Sequence, residues 1–436
     1  MSRVLDNTTE RIMDRLEPAW VETLRSLGRE KFEGSGYPTL RDEAWRFTNV
    51  EVIAQTRWQD ASPGEKVTSA DVARLVIPDL DAAAAVFVDG VFREDLSDLS
   101  GLGTGVTCCL IGDAFDRESA RRHLGRLSRE HDDGFTALND AKFGPGLFVH
   151  VEAGREAAKP IHVLSIGTST QEPVATHCRN LIVADRGASV KVIEQYAGLS
   201  NEAVYLSNAL TEIVAAEEGF VEHYVLERES ERAFNVSTLL IEQGARSKVH
   251  SHTVLLGGRI VRNNVVPVLA GEHAHCLING LYVGHNDQHL DNAMRVRHAA
   301  PNCESRQYYK GIMNDRSRGV FTGRIVVDKV AQKTDAIQTN RNMLLSDDAR
   351  VNARPQLEIY ADDVRCTHGA TTGRVDDEAV FYFRSRGLSE PVARAMLVYA
   401  FAAEGFDRME LVPVRRLLAA EMIAKLPMAR GLSIEV

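Results

Sequence analysis

A cysteine and a histidine lie two residues apart in the segment Cys366-Thr367-His368. The residues before them alternate partly between apolar and polar types, which is typical of a half-buried strand. Residues two apart on a strand point to the same face, about 6.6 Å from each other. We therefore expect the thiol and the imidazole to stand side by side, with Thr367 on the other face. Thiolates and neutral imidazoles bind metal ions and clusters, so the pair is a candidate ligand set.

The pair would supply only half of a tetrahedral metal site, because such a site needs four donors. Either other residues of this chain complete it, or a second chain does. A buried cysteine beside a hydrogen-bonded histidine would show the same spacing without any metal. The spacing alone leaves these interpretations open.

A turn and a helix are predicted directly after the pair. The small residues from Gly369 to Gly373 are typical of a turn. Ser389 suits the N-cap of a following helix, and Pro391 suits its first turn. The predicted apolar face of this helix consists of Val392, Met396, Leu397, Ala400 and Phe401.

Short apolar or alternating runs dominate the chain from about residue 147 to residue 365. The turns at Gly187, Gly219, Gly244 and Gly271 lie 32, 25 and 27 residues apart. Such a period without long helices predicts either the stacked coils of a β-helix or a large β-sandwich. The period favours the β-helix slightly, since its coils must stack to bury their apolar faces.

Helices are predicted on both sides of this β-rich part. Residues 1 to about 80 form one helical region, in which Trp45 is most simply a packing anchor. The region after Gly373 ends in a second amphipathic helix with Pro413 near its start. This helix either covers the end of the stacked coils or offers a docking face to a partner. Its apolar stripe consists of Val414, Leu417, Leu418, Met422 and Leu426.

Composition argues against several classes of function. The 436 residues include 61 acidic and 51 basic side chains, and a net charge of −10 argues against nucleic acid as a partner. No apolar run approaches the ~18 residues of a membrane span. Six scattered cysteines without a CxxC motif indicate a reducing cytoplasm. Neither a phosphate-binding lysine motif nor a dinucleotide fingerprint occurs.

Two histidine pairs favour a different class of protein. His250 with His252, and His273 with His275, partly resemble the metal motifs of cupin metalloenzymes. The glutamate that a cupin carries shortly after its second histidine is absent, since Leu256 and a glycine occupy those positions. A β-helix enzyme acting on polysaccharides is a second alternative, but it needs clustered carboxylates and aromatic platforms. Aromatic residues make up only 6% of this chain.

Four stretches carry a resemblance to a known family: CTHGAT (366–371), SRGLSE (385–390), AMLVYAFAAE (395–404) and YPTLRDEAWRFTN (37–49). With the middle of the chain, they make the sequence resemble the SufB/SufD family of iron–sulfur cluster assembly proteins over essentially its whole length. Gly369 is similar to the SufD-like members, because SufB-like chains more often carry an acidic residue there. The moderate length also favours SufD-like members.

The resemblance implies a mainly β fold, with a right-handed parallel β-helix core between two helical regions. The N-terminal helical region would cover residues 1–80. The core would cover residues 81–373, beginning with a mixed segment that extends to about residue 146. The C-terminal helical region would cover residues 374–436.

The resemblance also implies a function as a scaffold subunit, with no enzymatic activity of its own, in a cytoplasmic complex with SufB and the ATPase SufC. His368 matches the family's functionally implicated histidine, and Cys366 is an auxiliary ligand candidate beside it. Both would serve a transient site for iron or a nascent iron–sulfur cluster, shared with SufB at the subunit interface. No cofactor is then expected to remain tightly bound to the isolated chain. Whether that chain forms a homodimer, and whether a flavin binds the complex, are left open.

The expected docking site for SufC lies in the C-terminal helical region, and neither nucleic acid nor a membrane is an expected partner. The candidate docking residues are Arg386, Gly387, Leu388, Leu397 and Phe401.

Overall fold

A parallel β-solenoid of about 7 turns forms the centre of the molecule. The computed structural model describes residues 17–60, 67–169 and 172–425. Between residues 147 and 373, the described residues form strands and turns and no helix. The mainly β prediction with helices on both flanks is therefore confirmed, as a solenoid and not as a sandwich.

Two sheets form the walls of the solenoid. The eleven-stranded sheet contains β1 (Gln59–Asp60), β4 (Val106–Leu110), β5 (Leu147–Val151), β7 (Val174–Thr176), β8 (Arg179–Ala184), β10 (Tyr205–Ala215), β12 (Phe234–Gln243), β14 (Ile260–Leu269), β16 (His289–His298), β18 (Arg318–Val327) and β20 (Arg350–Ile359). The ten-stranded sheet contains β2 (Ala83–Val88), β3 (Val91–Phe92), β6 (Ile161–Gly167), β9 (Ser189–Gly198), β11 (Phe220–Arg228), β13 (Lys248–Leu255), β15 (His275–Gly284), β17 (Glu304–Met313), β19 (Asp335–Leu344) and β21 (Arg365–Gly373).

Consecutive strands alternate between the two walls, so each strand from β8 onward pairs in parallel with the strand two places later. Side chains of one parity point inward and form the main core. On one inward row, Val249, Cys276 and Ala336 are register neighbours of successive coils and are all fully buried, with Ser305 between the last two. The stacking of coils therefore buries the inward side chains that a single coil would leave exposed.

The N-terminal end of the solenoid is covered. There β3 pairs antiparallel with β2 across the turn at Asp89 and Gly90. Both turn residues have positive φ, 46° and 80°, as a two-residue turn of this kind requires. The segment after β3 then packs Leu99 and Leu102 against the main core.

Nine α-helices lie within the described residues. They are α1 (Ala19–Ser35), α2 (Glu51–Gln55), α3 (Ser69–Leu75), α4 (Glu118–His123), α5 (Arg126–Glu130), α6 (Gly134–Lys142), α7 (Asp377–Ser385), α8 (Glu390–Phe406) and α9 (Val412–Lys425). Short 3-10 helices occupy Glu43–Trp45, Glu94–Leu96 and Ile111–Ala114. Residues 1–16 and 426–436 of the two proposed helical regions lie outside the described residues.

The N-terminal segment around Trp45 is fastened to the outer face of the eleven-stranded sheet. The indole Nε1 donates a hydrogen bond to Asp133 at 2.8 Å, and the Arg262 guanidinium lies 3.9 Å above the ring. Nearby, the Thr48 hydroxyl donates to the buried Asp291 at 2.5 Å. The interpretation of Trp45 as a packing anchor is confirmed.

Helix α8 packs on the outer face of the ten-stranded sheet through small residues. The predicted apolar face is wrong: Leu397 and Phe401 are only half-buried, and Ala400 is exposed. Small side chains let the helix approach the sheet closely, and Asn279 Nδ2 donates to the carbonyl oxygen of Gly405 at 2.6 Å. The face that is buried consists of Ala393, Ala395, Val398, Ala402, Gly405 and Phe406.

Helix α9 packs beside α8 on the same lateral surface. Val414, Leu418 and Met422 of its predicted stripe are buried, and Leu417 is partly buried, whereas Leu426 lies outside the described residues. Both helices contact the side of the ten-stranded sheet. Of the two alternatives for α9, covering the end of the coils is therefore wrong, and none of the described helices covers that end.

A pair of carboxyl groups is buried where β11 ends. Glu229 accepts hydrogen bonds from Ser207 Oγ at 2.6 Å and from Asn235 Nδ2 at 3.0 Å. Burial and the neighbouring Glu227 raise the pKa of Glu229 well above its ordinary value. A raised folded-state pKa gives stability at low pH that is lost as the pH rises through that value.

Replacing Glu229 by glutamine is expected to increase the melting temperature relative to wild type by an amount that grows as the pH rises from near the ordinary glutamate pKa of about 4.3. The amide carries no charge, and Asn235 has a free Oδ1 that can accept from it after a flip. Melting curves of both proteins across this range check the prediction. Glu202→Gln, at an exposed ion pair with Arg232, is the control with a pH-independent difference. An equally flat difference for Glu229→Gln would contradict the prediction.

Candidate functional site

The C-terminal end of the solenoid is an open coil made by β20 and β21. Each is the last strand of its sheet, and neither pairs with a further strand in the part of the chain that the structure describes. Most residues of β21 are exposed, and those of β20 are exposed or half-buried. The outer edges of both strands therefore offer free backbone hydrogen-bonding groups.

Cys366 and His368 lie on this open coil. Their register partners on β19 are Ala336 and Gln338, which are buried side chains of the interior rows. Strand alternation then places both side chains on the inward row, with Thr367 on the outward face. The structure thus brings the pair together as the spacing predicted.

The predicted turn after the pair is wrong. β21 continues from Arg365 to Gly373, and its small residues pair in register with β19 as far as Met343. Pairing with a preformed neighbour outweighs the weak strand propensity of glycine. His368 is therefore held in the middle of a strand and not at its end.

The two members of the pair differ in environment. Cys366 is half-buried against a small apolar cluster that includes Ala336 and Leu357. Burial raises the pKa of the Cys366 thiol above its ordinary value, so at neutral pH it is a thiol and must lose a proton to bind metal. His368 is exposed at the open coil. The site therefore offers one covered thiol and one accessible imidazole.

Within the described ranges, no further donors join these two. No group of three or more histidine, cysteine, aspartate or glutamate side chains among the described residues is arranged to hold a metal ion. All six cysteines are free. The arrangement fits half of a shared site, which a second chain would complete.

An apolar rim borders the open coil. It consists of Val330, Ile359 and Tyr360, which are 67%, 40% and 63% exposed. The Tyr360 N–H donates to the Val327 carbonyl oxygen at 2.9 Å, which ties the rim to the preceding coil. Large exposed apolar side chains grouped beside free strand edges are typical of an interface with another protein.

The histidine pairs that suggested a cupin do not converge. The rings of His250 and His275 are 5.6 Å apart on the outer face, and His273 lies in a turn with φ of +60°. His252 is fully buried, with Nε2 3.5 Å from Glu222. Within the described ranges, these side chains form no metal site.

The candidate docking residues follow or lie on the C-terminal helices. Arg386 and Gly387 are exposed, Gly387 with φ of +93°, and Leu388 is half-buried. Leu397 is also half-buried, and Phe401 packs against the buried cluster of these helices. The candidates therefore do not form one exposed apolar surface.

Sequence reasoning missed two aromatic residues beside this region. Phe381 and Tyr382 on α7 are 70% and 56% exposed, and the Arg386 guanidinium lies 5.2 Å above the Tyr382 ring. The signal was a run of three aromatic residues, Phe381 to Phe383, in a short helix. They form the largest pair of neighbouring exposed aromatic side chains described on the C-terminal helices.

Comparisons with known proteins agree with this architecture. The core domain model of the SUF system for FeS cluster assembly, SufBD core domain, matches residues 166–401, and the SufBD protein N-terminal region model matches residues 5–163. The chain therefore belongs to the SufBD family of iron–sulfur cluster assembly proteins.

Within the family, the chain is similar to SufD proteins. It is 33% identical to the iron–sulfur cluster assembly protein SufD of Escherichia coli, over 90% of each chain. It is 25% identical to SufD of Bacillus subtilis, over 93% of each chain. It is also 32% identical to an iron–sulfur cluster assembly SufBD family protein of Synechocystis, over 87% of this chain and 85% of the relative. No helix among the described residues is long and apolar enough to cross a membrane.

Proposed function

We propose that this chain is the non-ATPase scaffold subunit of a SufB–SufC–SufD-type complex, and that its open coil meets SufB. The observation that carries the proposal is the position of Cys366 and His368 on a coil whose strand edges and apolar rim are not covered by any described residue. A SufB chain that docks there would add the missing donors next to this pair. The shared site would hold iron or a nascent iron–sulfur cluster transiently, as substrate of the assembly reaction.

The proposed docking geometry is addition of strands to the free edges of β20 and β21. Backbone groups on a free edge bind an extended partner strand through main-chain hydrogen bonds. The rim of Val330, Ile359 and Tyr360 supplies the apolar area that such an interface needs. Six free cysteines fit a reducing compartment and so support a cytoplasmic location for the proposed complex.

We assign the SufC-docking surface to residues 374–436, with Phe381 and Tyr382 as aromatic anchors beside Arg386, Gly387 and Leu388. Exposed aromatic and arginine side chains are typical anchors of protein interfaces. Leu397 and Phe401 are half-buried, so we do not count them among the exposed anchors.

Movement of the docking surface would be transmitted to the ten-stranded sheet, whose last strand, β21, carries the candidate site. Lys310 on β17 donates to the Phe401 carbonyl oxygen at 3.0 Å and pairs with Glu404 at 2.6 Å. These contacts join α8 to the ten-stranded sheet, two strands away from β21. ATP hydrolysis by SufC would thus act on the SufB interface through α8 and this sheet.

Co-purification with SufB and SufC from the same source tests the proposal. The expected result is a complex containing all three chains that forms clusters, with little metal on this chain purified alone. Stoichiometric, tightly bound metal on the isolated chain, or failure to recover SufB, would contradict it.

Replacing Phe381 by aspartate is expected to weaken SufC binding by about 2 kcal/mol or more, roughly 30-fold, because it removes an aromatic anchor. The melting temperature should stay within the range of surface substitutions, since Phe381 is exposed. Titration of labelled SufC onto the purified chain measures the affinity.

Leu397→Asp, on α8 in the same helical region, is the control for a substitution that acts through loss of stability. It places a charge on a half-buried face, so it should lower the melting temperature. Undiminished SufC binding by a folded Phe381→Asp variant would move the docking surface away from α7.

A further inference from the structure

Two glutamine side chains are stacked inside the last coils, directly beneath the candidate site. Gln307 on β17 and Gln338 on β19 are register partners, and both are buried. Gln338 Nε2 donates a hydrogen bond to Gln307 Oε1 at 2.8 Å. The rung before Gln307 is the apolar Ile278, so the stack of amides begins at Gln307.

His368 occupies the next rung of this stack. It is the register partner of Gln338 on β21, and adjacent rungs are about 4.8 Å apart. Side chains of that length on neighbouring rungs are within hydrogen-bonding reach of each other. Gln338 Oε1 is buried and has no hydrogen-bond partner in the described part of the chain. An unpaired buried carbonyl oxygen is unfavourable, and the imidazole of His368 carries a suitable N–H donor.

The opposite wall of the solenoid makes room for this amide. Gly323 on β18 faces Gln338, and a Cβ at Gly323 would lie 2.2 Å from Gln338 Nε2. Any larger residue at Gly323 would displace the amide. Because Nε2 donates to Gln307, the carbonyl oxygen of Gln338 remains as the acceptor for the rung of His368.

We propose that Gln338 is a positioning residue for His368. Its Oε1 accepts a hydrogen bond from one imidazole N–H, and the other ring nitrogen is thereby kept unprotonated and directed to the open coil. The hydrogen bond on one nitrogen decides which nitrogen is free to bind. This role rests on the proposed function, in which His368 serves the shared site.

Two substitutions at Gln338 separate positioning from packing. Gln338→Met keeps the length of the side chain and removes the acceptor. Gln338→Glu keeps an acceptor, and Gln307 can turn its amide to donate Nε2, which has no partner. The matched control is Asn340→Leu, which removes the next buried amide on β19, whose register partner is Ala370 and not His368.

The first measurement is the tautomeric state of His368 in the isolated chain, by nitrogen NMR with labelled histidine and the His368→Ala spectrum for assignment. The pH is set to about 8.5, two units above the ordinary imidazole pKa of about 6.5. A single tautomer is expected in wild type, Gln338→Glu and Asn340→Leu. A mixture of both tautomers is expected in Gln338→Met.

The second measurement is cluster formation per mole of intact complex. Gln338→Met is expected to lower it about tenfold, as is usual for a residue that orients a ligand, and Gln338→Glu to restore it. A single tautomer in Gln338→Met, or a Gln338→Glu variant that behaves like Gln338→Met, would overturn the role of Gln338 alone. Normal cluster formation by His368→Ala would overturn both this role and the proposed function.

Discussion

The complete complex carrying His368→Ala is expected to form clusters on the order of 100-fold more slowly than wild type. Alanine has no nitrogen donor, so the proposed shared site would lose one of its few ligands. The fold should remain intact, because His368 is exposed on the open coil and exposed substitutions usually change stability little. Cluster formation per mole of intact complex, followed by absorbance, measures the effect.

Two neighbouring substitutions make this test specific. Thr367→Ala alters the outward face of the same strand and should leave cluster formation unchanged. Cys366→Ala should have a milder effect than His368→Ala if SufB supplies the essential thiolate, and a comparable effect if both residues bind the cluster. Normal cluster formation at normal yield of the His368→Ala complex would leave this chain a purely structural partner.

Replacing Ala370 by proline is expected to weaken the pairing with SufB on the order of 100-fold. The Arg365 N–H donates to the Thr334 carbonyl oxygen at 2.8 Å, toward β19. Alternate residues of a parallel strand direct their N–H groups to the same neighbour, so the N–H of Ala370 points to the open edge. Proline removes this donor and leaves a partner carbonyl unpaired, a cost of about 2–4 kcal/mol.

Ala370→Ser is the control, since it keeps the N–H and adds only a small polar group. Both variants should melt close to wild type, because no hydrogen bond to β19 is lost. Affinity for SufB, measured by titration with the purified chains, gives the result. Equal SufB affinity of the proline and serine variants would show that β21 is not extended by a partner strand.

The sequence was enough to place the two candidate ligands on one face of a strand. It could not show which side chains lie beneath them. A spacing of two residues is enough to place Cys366 and His368 on one face of any strand. The stack of Gln307 and Gln338 beneath them depends on strands that are 31 and 30 residues apart in register. Turns of unequal length set this register. The pattern of residues in one sequence does not determine those lengths.

The orientation of α8 was missed for a related reason. Apolar periodicity gives weight to large residues such as Leu397 and Phe401, which suit a core-facing stripe. The sheet beneath α8 instead accepts Ala395, Ala402 and Gly405, since these permit a close approach. The large side chains of α8 then lie at the margins of its contact with the sheet, where a partner or the edge of the core covers them.

The open coil has a consequence for how cells regulate the subunit. A site divided between two chains exists only in the heteromeric complex, so its abundance follows the product of the two free subunit concentrations. Surplus copies of this chain would not compete for iron, because the two donors of each copy bind iron weakly. If the site is shared as proposed, this chain would commit iron to cluster assembly only when both chains are present together.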